Sequence, residues 1–374
     1  MKMGAEVLLA GPRGRRLCLQ LMTELDPSVR SAVFWLAHDL DPGKGSSRVL
    51  LTATSGDDTE LPPKPTYADL IAALTSLDVI QAEPRAIDRA LAEAVDTSRP
   101  WQEPDGEDVL ASLPEVTAAL TPLAQHVITS PSTLWWSHDR QLEQWAIDWH
   151  SPDDPAPLPR EPSQALAAWA RGARAEEVRA RMERPRDPHA PWSGTWWSFP
   201  QGPLHTVGRI PLGLNLIEDS FGWEQATVIP VRGTGRTYEI RSGEDWVSLC
   251  REHPLEVTAS RRHDWFRCTG TNGAWVIPDW EKVAERWDAV HLTTLAYLSS
   301  ANRALHVDGG TSTVLAGWNP DTTIWLTDAA REWEGPRQQW QRSTDQETWT
   351  RTPQLTRPGA PKPVPQENWY EDIV

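Results

Sequence analysis

His291 closes a short apolar run, Ala289–Leu292, and is followed by Thr293 and Thr294, two residues able to cap a helix. A strand that stops at a polar corner just before a helix N-terminus presents free backbone N–H groups and a positive dipole, which favour an anionic ligand. A second polar cluster, Arg261-Arg262-His263-Asp264-Trp265, follows the strand-like stretch LEVTAS and reads as a loop. Arg262 and His263 could hold an anion there with Trp265 beside it, or Asp264 could simply pair with the arginines. The chain has 22 Trp against 4 Phe and 4 Tyr. An indole can stack on a sugar, a nucleobase or nicotinamide, and it can equally fill a core while its N–H finds a partner. Trp280 and Trp325 join Trp265 as ligand-facing candidates. Cys18, Cys250 and Cys268 are odd in number and lack a C-x-x-C spacing, so neither a disulfide framework nor a metal site is expected. Gly11-Pro-Arg-Gly and Gly43-Lys-Gly-Ser-Ser both miss the phosphate-loop spacing and read as turns.

These residues need elements to position them. Asp279 can cap a helix in which Trp280, Val283, Ala284 and Trp287 fall on one face, and Leu295, Leu298 and Leu305 mark a second helix after His291. The order predicts an α+β protein. Residues 1–128 read as a helical domain, with patterns at 12–22, 27–40, 67–77, 85–95 and 114–127. Residues 129–200 form a Trp-rich connector, where Leu134–Ser137 and Thr195–Ser198 echo one another in strand-like settings around a long helix over 162–184. Residues 201–334 alternate strands and helices and make the ligand-binding domain, with Ser242 and Asp245 as a capping pair. The first and third segments are expected to fold separately. Residues 335–374 lose periodicity and include the Pro-rich run 357–366, the mark of an extended tail.

A net charge of −16 disfavours non-specific nucleic-acid binding. No apolar run approaches the roughly 18 residues of a membrane span, and the N-terminal run is too short for a signal peptide, so a soluble, cytoplasmic protein is expected.

The segments GPRGRRLCL (11–19), PWQEPDGEDVL (100–110), SRRHDWFR (260–267) and WDAVHLT (287–293) give most of the chain a resemblance to a recurrent group of uncharacterised actinobacterial proteins, which carries no activity with it. Two shorter patterns look like ADP-ribosyltransferases. Strand–His291-x-Thr293–helix, with a second strand ending at Thr327, resembles the NAD-binding half of the histidine-type branch. That likeness implies that His291 contacts the nicotinamide ribose. Arg241 at a strand end, then Thr311-Ser312-Thr313, then Glu332-Trp333-Glu334 resembles the arginine-type branch, and implies that Arg241 and Ser312 help to hold NAD while Glu334 polarises its ribose. The sequence therefore points first to a Trp-lined binding protein for a small molecule, peptide or protein partner. An NAD-dependent transferase and a carbohydrate-active protein are the alternatives, the latter short of identifiable paired acids.

Overall fold

The computed structural model describes residues 4–45, 63–77, 82–150, 156–220, 222–343 and 348–353. Its N-terminal part is helical: α1 (Ala5–Leu9), α2 (Pro12–Leu25), α3 (Pro27–Leu40), α4 (Tyr67–Ser76), α5 (Pro84–Asp96), α6 (Gly106–Ser112), α7 (Pro114–Ala119) and α8 (Thr121–Thr129). Local chemistry sets several starts. Asp26 accepts a hydrogen bond from Ser28 N at 2.6 Å ahead of α3, Thr66 and Asp69 form a reciprocal capping box at α4, and Asp105 accepts from Asp108 N at 2.8 Å at α6. In α5 the buried Ala86, Ile87, Ala90, Leu91, Ala94 and Val95 make one helical stripe.

The rest of the chain supplies β1 (Glu143–Asp148), α9 (Pro162–Glu183), β2 (Leu204–Val207), β3 (Gln225–Gly233), β4 (Thr237–Ile240), α10 (Gly243–Glu252), β5 (Pro254–Glu256), α11 (Thr258–Thr269) and β6 (Ala274–Pro278). It continues with α12 (Trp280–Val283), β7 (Ala289–Leu292), α13 (Thr294–Ser300), β8 (Leu305–Asp308), β9 (Thr311–Thr313), β10 (Thr322–Trp325), β11 (Ala330–Glu332), β12 (Gln338–Arg342) and β13 (Trp349–Arg351). The expected α+β class is the one observed. One large sheet runs β13-β12-β3-β1-β2-β10-β7-β4, with β11 also on β3, and a smaller one runs β5-β6-β9-β8. Within these sheets β4–β7 and β6–β9 are the parallel pairs among the described residues.

Strand alternation gives the large sheet two different faces. Val290, Leu292 and Ile324 join the main core with the N-terminal helices, whereas Ala289 and Trp325 belong to a second cluster on the opposite side. The main core includes Leu17, Leu19 and Leu91 from α2 and α5 together with Trp246, Trp280 and Leu298 from the C-terminal half. It therefore runs without a break past residue 128. The small sheet forms its own cluster with α9 and α11, through Ala173, Trp265, Trp275 and Ile277.

Five local expectations change. The helices around His291 are shorter than expected: α12 ends at Val283, before Trp287, and α13 ends at Ser300, so Leu305 lies on β8. Leu134–Ser137 lies in a 3-10 helix, Pro131–Ser137, started by Ser130 and Pro131. Thr195–Ser198 forms no strand, because indoles take two of its carbonyls and the Ala316 carbonyl takes the Ser198 N–H: Trp265 Nε1 donates to Trp196 O at 2.9 Å, Trp280 Nε1 to Ser198 O at 3.1 Å, and Ser198 N to Ala316 O at 3.1 Å. Arg261–Trp265 is helical, inside α11, where burial of Ala259, Trp265 and Cys268 outweighs the polar run. Finally, residues 338–342 and 349–351 extend the large sheet instead of trailing from it, anchored by the buried Trp349. The Pro-rich run 357–366 and the final eight residues lie outside the described residues, as do Ser46 and Ser47 of the second glycine motif.

Candidate functional site: an arginine-lined pocket

His291 faces the side of the large sheet away from the helices, between Glu239 on β4 and Thr323 on β10. It is 0% exposed. Its Nδ1 lies 2.7 Å from Glu239 Oε2 and its Nε2 lies 3.5 Å from Asp321 Oδ1. Burial alone would push the imidazole down, but Asp321 and Glu239 hold its pKa above the ordinary histidine value. The polar row continues inward: Thr323 and Thr206 both donate to Gln144 Oε1, at 3.1 and 2.9 Å, and Trp325 Nε1 donates to Thr206 at 2.8 Å. Thr293 is used by the fold as well, accepting from Ala296 N at 3.2 Å and donating to Ile240 O at 3.1 Å.

Of the transferase-like residues, His291, Thr293 and Arg241 share one end of the β4–β7 pair, where Arg241 holds Asp139 through two 2.7 Å bonds. Ser312 and Glu334 lie elsewhere. Ser312 is on β9 in the small sheet. Glu334 follows β11, which pairs with β3 on the side away from β1, whereas His291 lies between β4 and β10. The indole candidates Trp265, Trp280 and Trp325 are fully buried, each with its N–H bonded inside the protein. Arg262 donates to Pro185 O at 2.9 Å, and His263 is buried with neither ring nitrogen hydrogen-bonded among the described residues.

Other residues surround the pocket that sequence reasoning missed. It has a volume of about 410 Å³ and is walled by the start of α2, the 97–105 segment with α6, the end of α11, and the link from α13 to β8. Two glycines bring these walls together. A side chain on Gly11 would collide with the Leu298 carbonyl on α13, and one on Gly14 with the Leu8 carbonyl on α1. The Gly11-Pro-Arg-Gly motif thus marks close packing at the entry to α2. Arg13, 2% exposed, pairs with Asp108 on α6 and donates to Ala94 O at 3.1 Å. Arg16 pairs with Asp105 at 2.8 Å and Glu107 at 2.9 Å. Burial alone would lower the Arg16 guanidinium, yet Asp108, Glu107 and Asp105 carry it above the ordinary arginine value.

Two other guanidiniums on the wall have no such neutralisation. Arg15 and Arg303 form no ion pair among the described residues, and both donate through NH1 to the Ala10 carbonyl, at 3.3 and 3.0 Å. One shared acceptor keeps those two nitrogens within about 6 Å of each other. Burial lowers the pKa of Arg15, against the pull of Asp108, and Arg13 and Arg303 push it the same way. Burial also lowers Arg303.

Comparison with protein families, curated proteins and solved structures returned no match for this chain.

The pocket has the means to bind more plainly than the means to catalyse. Cations about 6 Å apart repel by roughly 1–3 kcal/mol between near-surface and aqueous dielectric limits, a cost that an anion between them removes. Burial pushes the Cys268 thiol on the wall up to about 12, which leaves it protonated and a poor nucleophile at neutral pH. No group of three or more His, Cys, Asp or Glu is placed to hold a metal ion among the described residues.

Proposed function

We propose that this is a ligand-binding protein whose site is the pocket between the N-terminal helices and the α13–β8 link, and whose ligand is a small molecule bearing an anionic group. The observation that carries this reading is the pair Arg15 and Arg303, two guanidiniums held on one carbonyl and without an ion pair among the described residues. Arginine forks match carboxylate and phosphate geometry, and a cavity of this volume suits a small metabolite. The recognition role expected of the indoles passes to arginines, because Trp265, Trp280 and Trp325 are occupied in the core.

A thermal-shift panel tests the proposal, using inorganic phosphate, succinate, nucleotides, NAD and neutral sugars. Anionic compounds should raise the melting temperature and neutral sugars should not, with the effect fading as salt is added. A ligand at about 100 times its dissociation constant stabilises by roughly 2.7 kcal/mol. Arg15→Met and Arg303→Met should each remove most of the shift. If sugars stabilise and anions do not, or if both variants respond like the parent, the proposal fails.

A further inference from the structure

Beneath the arginines the pocket wall contains a second kind of recognition group. Asn302 connects α13 to β8 with φ of 61°, in the left-handed region that Asn tolerates better than most residues. It lines the pocket and is only 7% exposed. Its Nδ2 donates to Ser98 Oγ at 2.7 Å, and Ser98 Oγ in turn donates to Glu218 Oε1 at 2.7 Å. Tyr297 OH donates to the same carboxylate oxygen at 2.8 Å. With Glu218 ionised, the one Ser98 proton goes to its carboxylate, and the group that Asn302 turns toward Ser98 is its NH₂. That assignment fixes the amide and leaves Oδ1 as an acceptor. Asn302 Oδ1 is buried and has no donor among the described residues. A buried acceptor without a partner costs stability that a donor brought by a ligand would restore.

Arg303 follows Asn302 directly, so the cationic group and the orphan acceptor sit on consecutive residues of one link. We infer that the ligand carries a hydroxyl or amine donor close to its anionic group, with the anion on Arg15 and Arg303 and the donor on Asn302 Oδ1. This inference rests on the pocket being the binding site. It narrows the class from small anions in general to hydroxy acids, amino acids and phosphate esters with a nearby hydroxyl. The two sources of negative charge, carboxylate and phosphate, share this chemistry and are separated by the choice of probe.

Isothermal titration of the full chain with matched pairs tests it. L-malate is compared with succinate, and glycerol 3-phosphate with propyl phosphate, so that each pair holds its anionic groups constant and varies the hydroxyls. In the series that binds, the hydroxylated member should bind on the order of tenfold more tightly, the size of one net hydrogen bond. Whichever series binds identifies the anionic group. Asn302→Gly keeps the unusual backbone angle accessible while deleting the acceptor, and it should erase the difference within the pair. Arg303→Met should weaken both members alike. Equal affinity for the two members in the parent protein overturns the inference while leaving the anion reading intact, and this comparison holds even if Asn302→Gly does not fold. Absence of binding by both pairs and by inorganic phosphate overturns the inference together with the function on which it rests.

Discussion

At the scale of single residues, His291 shows how a group suited to chemistry can be used by the fold. Glu239 and Asp321 face its two ring nitrogens from β4 and from the turn before β10. Arg140 N donates to the other Glu239 oxygen at 3.2 Å, and Arg209 lies 3.6 Å from Asp321. His291→Ala would leave those carboxylates beside an uncompensated void, so it should cost about 3–5 kcal/mol of stability, the range for breaking a buried ion pair. Chemical denaturation would measure it. The folded pKa of His291 is raised, so its contribution is complete below the unfolded value of roughly 6.5 and is lost as pH rises through the folded value. Glu218 acts in the same sense. Burial lifts its pKa to about 7, so its neutral form favours the folded state and stability falls as it ionises. The two can be separated with His291→Gln, which does not titrate: above roughly pH 6.5 it should lose less stability with rising pH than the parent. Parallel stability curves for parent and variant over pH 6–9 would show that His291 is not the group responsible.

At the scale of elements, what could be read from the sequence depended on whether one segment contained its own instructions. Trp349 on β13 packs with Leu214, Ala226 and Val228 and donates to Asn215 Oδ1 at 3.0 Å, so Trp349→Ala should cost about 3 kcal/mol in a urea titration. A variant within a few tenths of the parent would mean that this edge contributes nothing to stability. No local pattern announces β12, where Gln338–Arg342 is polar and gains its strand conformation only by pairing with β3. By contrast, the capped helices α3 and α10, the long helix α9 and the apolar strand β7 fall where cap chemistry and periodicity place them. Arg261–Trp265 misled because Asp264 looked like a loop residue. In α11 it accepts from Ser193 Oγ at 2.7 Å and Gly194 N at 3.0 Å, partners some seventy residues away that no local reading supplies.

At the scale of the whole molecule, the pocket was hidden for the same reason, since its wall joins four segments that are distant in sequence and adjacent only after folding. One local hint existed: Arg13 and Arg16 are three residues apart on a helix face that also carries buried leucines, and arginines on such a face require buried acid partners. The same joining of distant segments decides whether residues 1–128 can stand alone. Leu17 and Leu91 share a core with Leu292 and Ile324. Polar bonds reinforce the seam: Ser98 binds Glu218, Asn302 binds Ser98, and Arg267 Nε donates to Trp101 O at 2.9 Å. Separating the N-terminal part would expose leucines now fully buried and leave Arg13 without the environment that its pairing with Asp108 requires. A fragment of residues 1–128 should therefore melt without a cooperative transition, and limited proteolysis of the full chain should yield no stable fragment ending near residue 128. Circular dichroism melts of the fragment and mass mapping of the digest would check this. A sharp fragment transition at a temperature near that of the intact protein would show that the helices form an independent domain and that the shared leucines add little to their stability.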